Sequence, residues 1–295
     1  MSSSEPWTIG RLLTWTQEYL ASHGAESPRL DAEVLLAEAL GCQRIDLYTR
    51  FDDVPDEGPR GRFRELVRRR AEHVPVAYLV GRREFYSLAF RVTPDVLIPR
   101  PETELLVVAA LDLARQCGNG RAAAICDVGT GSGAIAVAVA KHLPAARVTA
   151  VDCSRAALAV ARENAERHGV AGRIEFVESD LLDGLPADAS FDLVLSNPPY
   201  VGESEWSALM PEVRDHEPRT ALIAGSRGTE VIERLLPQAA ARLRSGGHLV
   251  MEISPMIHEA VCRLIEAVGA FGPVETVKDL ARLPRVVRCA RKQAK

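Results

Sequence analysis

The chain has 295 residues, of which 47% are apolar and 26% charged, with a formal net charge of −4. That length holds one large domain and a smaller companion. No apolar run is long enough to cross a bilayer, and the mild acidity argues against a protein whose affinity rests on neutralising nucleic-acid phosphates over a broad basic face.

The first 75 residues read as helices only. Ile9, Leu12, Leu13, Tyr19 and Leu20 recur at helical spacing up to Gly24. Pro28 opens a second helix with Leu30, Val34, Leu36 and Leu40 inward and Gly41 as its stop. Shorter helices are expected over 45–51 and 60–72. The last carries Arg60, Arg62, Arg64, Arg68, Arg69 and Arg70, with Glu65 and Arg69, and Arg68 and Glu72, at helical pairing distance. This reads as a solvated face; the competing reading is a patch for an acidic or RNA-associated partner. Residues 1–90 hold 12 Arg and no Lys against 14 acidic residues, so the region is not basic as a whole. It reads as a docking domain, 1–75.

Residues 76–99 change character. Glu84 to Val92 is β-rich and partly alternating, as in a β-hairpin linking two domains. Leu97-Ile98-Pro99-Arg100-Pro101-Glu102-Thr103-Glu104 then looks like a helix start, with Pro101 and acids in the first turn. From residue 100 to 295, strands near 122–127, 147–151, 173–177, 191–196 and 247–253 alternate with helices near 102–116, 132–142, 154–168, 228–244 and 256–268. Residues 274–278 and 285–290 read as a closing antiparallel pair. The alternation implies an α/β domain: a Rossmann-like, seven-stranded, mostly parallel, doubly wound sheet with ligands at the strand C-termini.

Two motifs fall at those ends. The first expected strand runs into Asp127-Val128-Gly129-Thr130-Gly131-Ser132-Gly133 and then an apolar helix. Glycines let the chain turn tightly and let a ligand approach the backbone. Asp152, 19 residues beyond Gly133, ends the next strand, where an acid can accept hydrogen bonds from ribose hydroxyls. The spacing Gly-x-Gly-x-Gly departs from the Gly-x-Gly-x-x-Gly of dinucleotide sites. A bare strand-to-helix turn without a ligand is the competing reading.

The second motif, Asn197-Pro198-Pro199-Tyr200, follows the apolar strand 191–196. The prolines have fixed φ and no N–H, which leaves nearby carbonyls free and rigidly aimed. Asn197 adds a side-chain carbonyl and Tyr200 a flat ring. Together they suit a planar NH2 group: two acceptors for two hydrogens and a face to stack on. A simple turn after a strand is the alternative.

The glycine pattern resembles the S-adenosylmethionine site of Rossmann-like methyltransferases. Ser27-Pro28-Arg29-Leu30-Asp31-Ala32-Glu33, Pro75-Val76-Ala77-Tyr78-Leu79-Val80-Gly81 with Glu84-Phe85, and Val96 to Glu104 carry the likeness over the whole chain, which resembles the release-factor glutamine methyltransferases of the PrmC/HemK type. The resemblance implies methyl transfer from S-adenosylmethionine, yielding S-adenosylhomocysteine, to the N5 nitrogen of the glutamine in the Gly-Gly-Gln loop of peptide chain release factors. By position it implies a cofactor site at Asp127, Gly129, Thr130, Gly131, Ser132, Gly133, Asp152, Asp180, Leu181 and Asn197. Asp180 and Leu181 border the adenine, with aliphatic packing where some members have an aromatic ring. The substrate amide meets Asn197, Pro198, Pro199 and Tyr200, which are also the catalytic set. Met251 to Pro255 and Leu280 to Arg285 depart from the family's glycine-containing versions and are expected to lie away from the chemistry. Partners are release factors, with no nucleic acid and no membrane, and the chain is expected to be a monomer. An enzyme methylating adenine or cytosine amino groups shares the Asn-Pro-Pro-Tyr motif but wants a basic surface. A non-enzymatic scaffold is argued against by the intact Asp152 and Asn197.

Six cysteines, Cys42, Cys117, Cys126, Cys153, Cys262 and Cys289, are scattered without Cys-x-x-Cys pairs or clustered histidines. That argues against a metal site and for reduced thiols. The first six residues lack a basic-then-apolar export segment, so a cytoplasmic location is expected.

Overall fold

The computed structural model describes residues 6–117 and 122–293. The reading of the extreme N-terminus and the side chain of Cys117 lie outside the described residues. The chain divides into two compact units, Met1–Arg82 with Met210–His216, and Arg83–Leu209 with Glu217–Lys295.

The first unit is helical. Helix α1 (Ile9–Ser22) starts where the Thr8 hydroxyl accepts from the Arg11 amide at 3.2 Å. Helix α2 (Pro28–Leu40) has Pro28 in its first turn and Gly41 left-handed at its end. Helices α3 (Arg44–Thr49) and α4 (Glu57–Ala71) close a core of Ile9, Leu20, Leu35, Leu36, Leu47 and Phe63. On α4 the expected pair of Arg68 with Glu72 forms, but Glu65 turns to Arg68 rather than Arg69. The stretch expected to be wholly hairpin linker opens instead with a helical turn, α5 (Val76–Val80), stopped by left-handed Gly81. A short run such as Val-Ala-Tyr-Leu-Val has no period that separates helix from strand.

One buried ion cluster ties this unit together. Arg70, only 7% exposed, donates from Nε to Asp31 at 2.8 Å and reaches Glu212 at 2.7 Å. Glu212 lies on α9 (Pro211–His216), far along the chain. Removing one partner of a buried pair strands the other charge in a poorly solvating place. Arg70→Leu is therefore expected to destabilise this unit by about 3–5 kcal/mol. Denaturant unfolding checks this, and a change below about 1 kcal/mol would mean the cluster is silent.

The second unit is the sheet domain. A hairpin of β1 (Arg82–Phe85) and β2 (Leu88–Arg91) precedes α6 (Glu104–Cys117). Alternation follows: β3 (Ala124–Val128), α7 (Ala134–His142), β4 (Arg147–Asp152), α8 (Arg155–Arg167), β5 (Ile174–Glu178) and β6 (Phe191–Ser196). A short parallel pair, β7 (Val201–Gly202) and β8 (Ile223–Gly225), leads to α10 (Glu230–Arg242), β9 (Leu243–Glu252) and α11 (His258–Val268). The antiparallel β10 (Glu275–Lys278) and β11 (Pro284–Ala290) close the chain as expected.

The main sheet has seven strands in the order β10-β11-β9-β6-β3-β4-β5. All neighbours from β9 to β5 run parallel. Successive residues of β3 face opposite sides: Ile125 joins the core under α6 and α7, and Cys126 the core under α10 and α11. From β3 the chain winds outward to β4 and β5, then returns to β6 on the other flank. The strand order thus reverses between β3 and β6, where a crevice opens at their C-terminal ends. Both sequence motifs begin at those two ends.

Candidate active site

The glycine turn leaves β3 and is braced from β4. The amides of Gly129 and Thr130 both donate to the Val151 carbonyl, at 2.8 and 2.9 Å. The Gly131 amide donates to Asp152 Oδ2 at 2.8 Å and the Gly133 amide to the Thr130 carbonyl at 2.8 Å. Beneath the turn, Asp127 Oδ2 accepts from the Thr130 hydroxyl at 2.6 Å and from the Ala136 amide at 3.2 Å. These N–H groups are spent inside the protein, bracing the turn against β4 rather than facing a ligand. What remains open is backbone without Cβ and an acid at the strand end.

Gly133 has a second duty. Its φ is +79°, and a Cβ there would sit 3.1 Å from Ala161 Cβ, so α7 and α8 approach closely only through it. Asn164 on α8, fully buried, locks that arrangement by donating to the carbonyls of Ser132 at 2.8 Å and Arg91 at 2.9 Å and accepting from the Arg91 amide. The hairpin, the turn and α8 are thereby stitched together by one side chain.

A single cleft is lined by Gly129, Gly131, Asp152, Asp180, Leu181, Asn197 and Pro199. Gly129 and Asn197 are neighbours: a Cβ on Gly129 would lie 4.0 Å from the Asn197 carbonyl oxygen. Of the other expected site residues, Asp127, Thr130, Ser132 and Pro198 are buried behind this surface, and Gly133 and Tyr200 are not part of its lining. Asp152 keeps capacity for a further hydrogen bond, since its two oxygens, with about four acceptor sites, are held by the amides of Gly131, Ser154 and Cys153. Leu181 holds a left-handed backbone, φ +52°, which a bulky residue adopts only under constraint. Asp180 pairs with Arg234, which also lines the cleft.

Further wall residues were not assigned to the site from sequence. Asp95, Val96, Leu97, Pro218, Thr220 and Ala221 also line the cleft. They are tied by Glu217, 6% exposed, which accepts from the Ile98 amide at 3.2 Å and pairs with Arg100. Gly228, with φ +79°, lies against the Tyr200 carbonyl, 2.7 Å from where its Cβ would be, and admits no side chain.

One expectation is overturned. Glu252 and Arg285 were expected to lie away from the chemistry. Met251 pairs with Ser196, so Glu252 comes level with Asn197, and Val286 pairs with Glu252 on the other flank. Both charged groups act on Tyr200, whose phenol is pushed up to about 12 by burial and by Glu252, and so stays a donor. Parallel pairing across β6 and β9 brings together residues 55 positions apart, which local spacing does not report.

Burial also pushes two carboxyls up to about 7: Asp127, whose Oδ1 has no partner, and Glu252, whose Oε2 has none. An acid raised in the folded state holds its proton more tightly folded than unfolded. Its stabilising contribution is full below about pH 4 and is lost as pH rises through about 7. Wild-type thermal stability should therefore decline from pH 5 to 8, and Asp127→Asn should flatten part of that decline. An unchanged slope in the variant would contradict the assignment.

Residues 11–81 match the model of the PrmC N-terminal domain, and residues 103–212 that of the methyltransferase small domain. The release factor glutamine methyltransferase of Rhodopirellula baltica is 51% identical over 97% of this chain and 97% of its own. That of Geobacter sulfurreducens is 44% identical over 96% of each. Among solved structures, the 16S rRNA methyltransferase RsmC of T. thermophilus, in complex with AdoMet and guanosine, gives a TM-score of 0.54 at 23% identity, covering 72% of this chain and 50% of that one. At that identity the likeness concerns the fold.

Proposed function

The chain belongs to the release factor glutamine methyltransferase family, and from that premise we propose that it methylates the N5 nitrogen of the glutamine in the Gly-Gly-Gln loop of peptide chain release factors. The observation that carries this reading is the single cleft shared by the glycine turn, Asp152 and Asn197. S-adenosylmethionine, when bound, supplies a methyl group activated on a sulfonium.

The protein's own part is alignment. Asp152 would accept from the ribose hydroxyls, and Leu181 would pack on the adenine. Asn197 Oδ1 and the adjoining Pro198 carbonyl accept the two hydrogens of the substrate NH2. An amide nitrogen is a poor nucleophile because its lone pair is delocalised into the carbonyl. Acceptors that draw both hydrogens favour the geometry in which that lone pair is available. No strong base is needed when nitrogen, methyl and sulfur are held in line. With the cofactor bound, the nitrogen would form its bond to the methyl carbon as the carbon–sulfur bond breaks, leaving S-adenosylhomocysteine, and the proton released from nitrogen would pass to solvent water.

The same reading has the enzyme working as a cytoplasmic monomer on a protein rather than on a nucleic acid. Mass spectrometry of a release factor incubated with enzyme and cofactor should find one added methyl, on the loop glutamine. Methyl transfer to DNA or RNA instead of the release factor would favour the amino-group nucleic-acid enzymes.

A further inference from the structure

A carboxamide has two ends, and only the oxygen of Asn197 can receive a substrate NH2. Asn197 Nδ2 lies 3.2 Å from Thr103 Oγ1. Thr103, 4% exposed, also hydrogen-bonds the side chain of Glu252, itself 2% exposed. Above about pH 7, where Glu252 is ionised, it has no proton to offer, so the hydroxyl hydrogen of Thr103 goes to Glu252. Thr103 then has only lone pairs left for Asn197, which must present N–H to it. The reverse orientation would set two acceptors face to face at Thr103 and turn an NH2 toward the substrate's NH2.

We propose that Thr103 and Glu252 are positioning residues that set the polarity of Asn197, holding its Oδ1 toward the substrate amide. This rests on the reading of Asn197 as the acceptor of the substrate NH2. The chain of three runs from Asn197, just past β6, through Thr103 in the turn that precedes α6, to Glu252 at the end of β9, and every link is buried or half-buried. Water therefore competes poorly for the hydroxyl, and the directional order is kept. The charged groups facing Glu252 are Glu102, Arg285 and Arg100, which set its charge but offer it no hydrogen-bonded partner at Oε2.

The test uses the full-length enzyme, a release factor as substrate and saturating cofactor, at about pH 8.5, where Glu252 is ionised. Thr103→Val, similar in size but without the hydroxyl, should lose about tenfold in kcat, the kinetic equivalent of one misdirected hydrogen bond. Affinity for S-adenosylhomocysteine should be unchanged by calorimetry. Thr103→Ser, which restores the hydroxyl, should recover most of the loss. Glu252→Gln can donate as well as accept and should fall between the two. In an Asn197→Ala background Thr103→Val should cost nothing further, because it acts through a group already gone. A wild-type rate for Thr103→Val, equal damage from Thr103→Ser, or additive losses in the double variant would each overturn the proposal. If Asn197→Ala itself methylates normally, the reading of the site fails, and not this inference alone.

Discussion

Asn197→Ala is expected to reduce release-factor methylation by about 100- to 1000-fold at saturating cofactor, the range seen when one preorganised transition-state contact is deleted. Affinity for S-adenosylhomocysteine should change by less than about threefold, since the contact serves the transition state more than the bound ground state. Asn197 directly follows the central strand β6, every residue of which is buried, so its backbone is anchored by the rigid middle of the sheet. Alanine keeps that backbone and removes only the acceptor. The substrate amide would then be buried with one N–H unpaired and its lone pair still conjugated. Single-turnover kinetics with labelled cofactor, beside calorimetry, would measure the two quantities. Parallel loss of both would mean that Asn197 serves the cofactor rather than the acceptor nitrogen.

Asp152→Ala should show the opposite pattern. Each hydrogen bond to a charged acceptor contributes about 1.5–3 kcal/mol, so losing the grip on the ribose should weaken cofactor binding by up to about 100-fold. The rate should largely recover at high cofactor concentration, because Asp152 does not touch the acceptor side of the cleft. Its carboxylate also holds the Gly131 and Ser154 amides, at 2.8 and 2.9 Å, so part of the loss comes from a looser turn. Asp152→Asn keeps one acceptor and should lose about tenfold, which separates charge from shape. A lowered rate at saturating cofactor with undiminished affinity would contradict this role.

The parts of this site readable in the sequence are those written in short local patterns. A strand, a glycine turn and an apolar helix within some twenty residues announce β3 and α7, and the offset to Asp152 follows from the length of one helix and one strand. Asn197-Pro198-Pro199-Tyr200 declares itself by proline rigidity after a wholly apolar strand. Thr103 and Glu252 do not, because they meet Asn197 only after α6 and β9 have packed on either side of β6, across 94 and 55 residues of chain. Glu217 and Gly228 were silent for the same reason: a lone acid and a lone glycine gain meaning from what they touch. Asn164 reads as an ordinary helix-surface residue until its three hydrogen bonds to the hairpin and the turn are seen. The helical turn at Val76–Val80 failed differently, because five apolar residues fit a strand as well as a helix.

Arg70 draws one of its two carboxylates from α2 and the other from Pro211–His216, more than a hundred residues downstream. The helical unit is consequently not a contiguous length of gene. A fragment cut after Arg82 would carry the guanidinium without Glu212, while the complementary fragment would carry Glu212 without its guanidinium. Each half would lack part of the cluster, and an evolutionary exchange of the N-terminal region between relatives would have to carry this short insert with it or compensate for the missing charge.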